Sequence, residues 1–266
     1  MSFLSAAIQY IGQVGVIVRR GGFKLAIDPF LTENADPAPT EWVRRYPPPV
    51  DPGKLHDLNL VLITHEHSDH LDPGTLLAIA QASPACRFAG PSACAGILKE
   101  IGIAEDRIDA LRHGAPYACG GGLTVHPMPA WHEERDVNAE GWDRFLGYML
   151  DWDGITIYHA GDTLVHESLI AALGGYRIDI GMLPINGRDI FRNRRGIDGN
   201  MNAREAADLA ADVGMSTVVP LHFDMYMNNS EGITGFVGEM FDRHPGRKYH
   251  IFQPGEVWIY VKTDEI

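Results

Sequence analysis

Leu58-Asn-Leu-Val-Leu-Ile63 runs straight into Thr64-His-Glu-His-Ser-Asp-His70. The first six residues are mostly branched and apolar, and polar residues bound them, which predicts a short buried strand. The next seven then leave its C-terminal end as a loop, where a rigid strand can hold functional groups in place. Three imidazoles and a carboxylate fall between His65 and His70. These are the donors that zinc, manganese or iron take. Adjacent and i, i+2 side chains on one loop point in different directions, so the four donors do not converge easily on one ion. The spacing suits two ions side by side, with His65 and His67 beginning one site and Asp69 and His70 the other. The plain alternative is a solvated polar loop, since a lone histidine is more often structural than ligating. Three histidines and an aspartate after a buried strand reverse that preference. Each ion needs three or more protein ligands and an open position, so roughly two further histidines and a bridging carboxylate are required downstream.

Three later strand ends supply them. Leu123-Thr-Val-His-Pro-Met-Pro129 leads to Ala130-Trp131-His132, making His132 the third histidine of the first site. His126, inside that strand, reads as packed. Ile155-Thr-Ile-Tyr-His159 leads to Ala160-Gly161-Asp162, and Asp162 is the candidate bridging carboxylate, against a plain turn aspartate. Thr217-Val-Val-Pro-Leu221 delivers His222, which completes the second site with Asp69 and His70. Asp28, closing the strand Phe23-Lys-Leu-Ala-Ile-Asp28 before Pro29, is either a turn residue or a carboxylate that braces the metal loop from behind.

The remaining pattern is strands mixed with helices. Gly21-Gly22 signals a hairpin in an antiparallel start over residues 6–28. Helices are expected near 74–82, 92–101, 166–173 and 230–243, and from Asn202 to Val213, where Asn202 and Glu205 form a capping pair and Gly214 ends the helix. Other strands are expected at 86–89, within 104–130, at 145–159, 178–183, 248–253 and 257–261. Residues 32–54 read as a long surface loop of the kind that forms lids or substrate walls. Residues 186–200 carry Arg188, Arg192, Arg194 and Arg195. Forked guanidinium donors suit a phosphate or carboxylate, so Arg192, Arg194 and Arg195 are the substrate-binding candidates, against a merely solvated loop. No repeat or interdomain linker shows, so residues 1–266 are expected to form a single domain.

The totals exclude several classes. With 22 Lys+Arg against 35 Asp+Glu the net charge is −13, which argues against nucleic acid or an anionic membrane surface as partner. No stretch reaches the ~18 apolar residues of a spanning helix. The first residues show no basic segment ahead of an apolar run, so no secretory signal is expected. Cys86, Cys94 and Cys119 form no C-x-x-C pair. Free thiols in a cytoplasmic protein are the expectation. Partners expected are a small-molecule substrate, no nucleic acid and no membrane. Self-association into a homo-oligomer stays open.

With these residues in hand, the chain resembles the metallo-β-lactamase superfamily over nearly its whole length. The resemblance rests on His65-x-His67-x-Asp69-His70, His132, Asp162 in Tyr158-His-Ala-Gly-Asp-Thr163, and His222. It implies an α/β fold, the four-layer αβ/βα sandwich, with two sheets face to face, helices outside and metals at one edge. Within the superfamily the chain is similar to the L-ascorbate-6-phosphate lactonase group. The matching stretches are Tyr158-His-Ala-Gly-Asp162, Ile178-Asp-Ile180, Arg195-Gly-Ile197 and Val218-Val-Pro-Leu-His-Phe-Asp224. It departs from that group at Trp131-His132, where the lactonase carries Asp-Arg. The resemblance implies two divalent ions, zinc or manganese. The expected chemistry is hydrolysis by a metal-bound hydroxide, with Asp69 both ligating and shuttling a proton as the catalytic residue. The expected reaction opens a lactone in a small, sugar-acid phosphate-like anion. The rivals are phosphodiester or phospholipid-headgroup hydrolysis at the same site, a non-catalytic module, and iron chemistry in the same fold.

Overall fold

The computed structural model describes residues 3–33 and 42–262. Its strands are β1 (Leu4–Gly12), β2 (Gly15–Arg20), β3 (Phe23–Ile27), β4 (Leu60–Leu62), β5 (Arg87–Pro91), β6 (Ile108–Leu111), β7 (Tyr117–Gly120), β8 (Leu123–Pro129), β9 (Leu146–Trp152), β10 (Ile155–His159), β11 (Ile180–Pro184), β12 (Thr217–Leu221), β13 (Lys248–Tyr249) and β14 (Val257–Lys262). The helices are α1 (Pro73–Ala82), α2 (Ser92–Glu100), α3 (Glu167–Leu173), α4 (Ile190–Asn193), α5 (Ala203–Asp212) and α6 (Ile233–Arg243).

The strands form two seven-stranded sheets, ordered β14-β1-β2-β3-β4-β5-β6 and β13-β12-β11-β10-β9-β8-β7. Each sheet is antiparallel on one side and parallel on the other, with the change at β3 in the first and β10 in the second. The two halves thus repeat one topology, although no sequence repeat announces it.

Side-chain alternation explains the layers. In β2, Val16 and Val18 enter the core between the sheets, while Ile17 enters the core under α1 and α2. In β4, Leu60 and Leu62 face the central core and Val61 the outer one. Tyr158 of β10 faces the outer core with Leu169, Leu209 and Phe236 from the helices of the second sheet. Both faces of these strands are buried, which is why they read as unbroken apolar runs. The result is helices, sheet, sheet, helices: the four-layer αβ/βα sandwich.

Some boundaries move. The strand expected over 248–253 is only Lys248–Tyr249, and β11 begins at Ile180. The last helix begins at Ile233, after a 3-10 turn at Met227–Asn229. Residues 186–200 are not wholly irregular, because Asp189 accepts from the Phe191 and Arg192 amides and starts the one-turn α4. Asn202 and Glu205 close the capping box on α5. Of the surface loop expected over residues 32–54, positions 34–41 lie outside the described residues.

Candidate metal centre

Four loops deliver the donors to one edge of the sandwich, and a fifth carries the carboxylate behind them. The loop after β4 carries His65, His67, Asp69 and His70. His132 follows β8, Asp162 follows β10, and His222 follows β12. Asp28 follows β3. His65, His70, His132, Asp162 and His222 are all buried, and Asp69 is partly open.

The donor atoms fall into overlapping triads, each within 4.8 Å: His65, His67 and His132; Asp69, His70 and His222; and His65, His70 and Asp162. Asp162 lies between the first two. Its Oδ2 is 3.8 Å from His132 Nε2 and 3.4 Å from His222 Nε2, and its Oδ1 is 3.5 Å from His70 Nε2. Asp69 stands 3.8 Å from His70 Nε2 and 3.6 Å from His222 Nε2. Two donors each ~2.1 Å from one ion and a tetrahedral angle apart are separated by about 3.4 Å. The spacing is therefore that of ligands around an ion. His65 Nε2, His70 Nε2 and Asp162 Oδ1 are buried with no hydrogen-bond partner among the described residues. A buried nitrogen or carboxylate oxygen without a partner is costly, and a divalent cation would satisfy all three. The residues fit a divalent-metal centre.

The rear of the site fixes which nitrogens face inward. Asp28 is fully buried. It accepts from the Thr64 amide at 2.8 Å, the Thr64 hydroxyl at 2.6 Å and His70 Nδ1 at 2.8 Å. Thr64 Oγ1 in turn lies 3.1 Å from His65 Nδ1. A carboxylate only accepts, so His70 carries its proton on Nδ1. The Thr64 hydroxyl donates to Asp28 and therefore accepts from His65 Nδ1. One carboxylate thus turns Nε2 of both His65 and His70 inward, the atom each would offer a metal. Phe145 packs its ring against His65, His67 and His132 at 5.4 to 6.2 Å and backs the first triad.

Charge divides the two triads. Burial, with the neighbouring His70, holds His65 well below the ordinary histidine range, and burial lowers His132 too. Burial also pushes His222 down, but Asp162 and Asp69 outweigh it and hold this imidazole at about 9. His70 is raised well above its usual value, because Asp162, Asp69 and Asp28 outweigh its burial. Burial would raise Asp69 and Asp162, yet His70 and His222 hold both carboxyls well below the carboxylate range. Before metal enters, two protons on His70 and His222 occupy the second triad. A cation would replace them.

Above the donors is a cavity of about 360 Å³, lined by Trp42, Ile197, Asp198, Tyr226 and Asn229 with Arg195. Of the three candidate arginines, only Arg195 lines it. Arg192 turns into its own loop, with Nε 2.5 Å from Asp189, a bond to the Asn186 carbonyl at 2.6 Å, and Glu231 at 3.5 Å. Arg194 is exposed and away from the lining. Arg188 forms a bidentate pair with Glu205 at 2.7 and 2.8 Å. His126 lies outside the centre, edge-on to Tyr176.

Sequence reading passed over Gln13, Thr64 and Phe145. Gln13 lies in the Gly12-Gln-Val-Gly15 turn, which carries no chemical signal. Thr64 was visible only as the residue before the histidines.

Known proteins are similar to this chain in sequence and in fold. Residues 25–223 match the β-lactamase superfamily domain. A UPF0173 metal-dependent hydrolase of Pyrococcus horikoshii is 30% identical over 255 residues, covering 94% of this chain and 97% of the relative. One from Thermococcus kodakarensis is 29% identical over 252 residues, with the same coverage. A metallo hydrolase of Ignicoccus hospitalis superposes with a TM-score of 0.73 at 22% identity, covering 96% of this chain and 98% of that one. An isothiocyanate hydrolase from Delia radicum gut bacteria superposes at 0.75 and 19% identity, covering 96% and 100%. These two likenesses speak for the fold.

Proposed function

The chain belongs to the metallo-β-lactamase superfamily and is one of its metal-dependent hydrolases, and we propose that it opens a lactone or similar ester in a small anionic substrate. The observation that carries this reading is the cavity: about 360 Å³, the size of a small-molecule site, with the donor set at its floor and Arg195 on its wall. Phosphodiester and phospholipid-headgroup hydrolysis are the competing chemistries.

His65, His67 and His132 would hold one ion, Asp69, His70 and His222 a second, and Asp162 would lie between them. Divalent ions in such a set supply Lewis acidity and acidify water to near neutral pH. The chain's own groups do the rest. Asp69, the partly open carboxylate at the cavity floor, is placed to take a proton from the attacking water and return it to the leaving alkoxide. Arg195 holds the anionic end of the substrate away from the bond that breaks. Trp42, Ile197 and Tyr226 narrow the space around it and limit water. Asp28 and Thr64 keep the histidines in register throughout.

The test is hydrolysis of L-ascorbate 6-phosphate by metal-free protein reloaded separately with manganese and zinc, followed by acid release as the ring opens. Turnover restored by either ion supports the reading. Failure on this and other lactones, with a phosphodiester cleaved instead, would assign the site to phosphate esters.

A further inference from the structure

Gln13 is buried at 2% exposure and sits in a left-handed backbone conformation, φ +57°. Non-glycine residues with positive φ are uncommon and tend to collect where function holds them. Six occur among the described residues, and four are at this centre: Gln13, Asp28, His222 and Glu133, the last next to His132. The Asp28 and His222 conformations aim groups already placed in the site. The same question falls on Gln13.

Its contacts answer it. The Gln13 carboxamide donates to Asp69 Oδ2 at 2.7 Å and lies 3.2 Å from His222 Nε2. An ionised carboxylate only accepts, so the amide nitrogen faces Asp69. The Gln13 main-chain carbonyl accepts the His222 backbone N–H at 2.9 Å, and the Tyr10 hydroxyl lies 3.2 Å from it. Tyr10 also bonds Asp224, two residues past His222, at 2.7 Å. One residue of the β1–β2 turn therefore grips both outer donors of the second triad, Asp69 by its side chain and His222 by its main chain. Among the described residues it makes no hydrogen bond to a donor of the first triad.

We propose that Gln13 is the positioning residue of the second ion's site, setting the affinity of that site independently of the first. This rests on the two-ion reading above. Held at Oδ2, Asp69 presents a fixed carboxylate to the ion and to water. Without the amide, the carboxylate turns freely on the open side of the cavity.

The experiment is calorimetric titration of metal-free full-length protein with Zn²⁺, with metal content measured after gel filtration. Gln13→Met keeps the volume and removes the donor. Gln13→Gly removes the side chain but suits φ +57°, so a residue that merely filled a turn would tolerate it. Both variants are expected to bind one equivalent as wild type does and to bind the other about ten- to a hundredfold more weakly. The undisturbed equivalent certifies the fold. Isotherms that superimpose on wild type in either variant, or an equal weakening of both equivalents, overturn the assignment. Wild type that takes up only one equivalent would instead strike the two-ion reading, and this proposal with it.

Discussion

Asp28→Asn keeps the size and the left-handed backbone of the site but inverts one hydrogen-bond partner. The backbone N–H of Thr64 still finds an oxygen. Asn, however, turns an NH₂ toward His70 Nδ1 and Thr64 Oγ1, which now donate to Asp28 Oδ2 at 2.8 and 2.6 Å. Donor meets donor, so when His70 gives up a proton to take a metal the one it keeps is driven from Nδ1 to Nε2, the atom 3.5 Å from Asp162 Oδ1. That occupies the lone pair needed for a metal. The Thr64 hydroxyl must turn too, which releases His65 Nδ1. Loss of two hydrogen bonds to a buried carboxylate costs the metal-free chain about 3–6 kcal/mol. Loss of a partner behind a ligand weakens metal binding about ten- to a hundredfold, or about 1.4–2.8 kcal/mol. Urea unfolding of the metal-free protein measures the first quantity and competition with a chelator the second. Nitrogen NMR reports the His70 tautomer. A variant that binds metal with wild-type affinity and keeps Nδ1 protonated would refute the reasoning.

Thr64→Val should disturb His65 more than His70, which keeps its 2.8 Å bond to Asp28, so metal binding falls less than in Asp28→Asn under the same competition assay. The metal-free chain should be most stable near pH 6.5. His222 is raised when folded, so its contribution is full below about pH 6.5 and is lost as pH rises through about 9, up to about 3 kcal/mol. Raised His70 loses stability in the same direction, whereas His65 and His132, lowered by burial, cost stability as pH falls below 6.5. Urea midpoints across pH measure this, and metal-loaded protein should show the opposite slope above pH 6.5, because ions displace those protons. Arg195→Ala should raise KM for an anionic substrate, while Arg192→Ala should lower the urea midpoint by about 1–3 kcal/mol of stability; the reverse pattern would exchange their roles.

The donors were legible because of where they stand. His65, His132, Asp162 and His222 each follow an apolar run, and those runs are strands buried on both faces, so their ends are sharp in the sequence. The shared edge itself follows only from the strand order of the two sheets. Gln13 left no such mark, since its partners Asp69 and His222 lie 56 and 209 residues away, brought near only when β1 and β2 join the first sheet. The arginine loop showed its charges but not their partners. Arg188 meets Glu205, and Arg192 meets Asp189 three residues back, so two of the four arginines that read as an anion site brace their own surroundings instead. At β13 the Lys248 and Tyr249 side chains are exposed, so no burial pattern could mark where the strand ends.

The central claim is a metal centre in which Asp162 serves two ions. Elemental analysis of protein stripped with a chelator, reloaded with zinc or manganese and freed of unbound ion tests it most directly. Two ions per chain in wild type, with metal and turnover both lost in Asp162→Ala, is the predicted result. Full occupancy and activity in Asp162→Ala, or no retained metal in wild type, would contradict it.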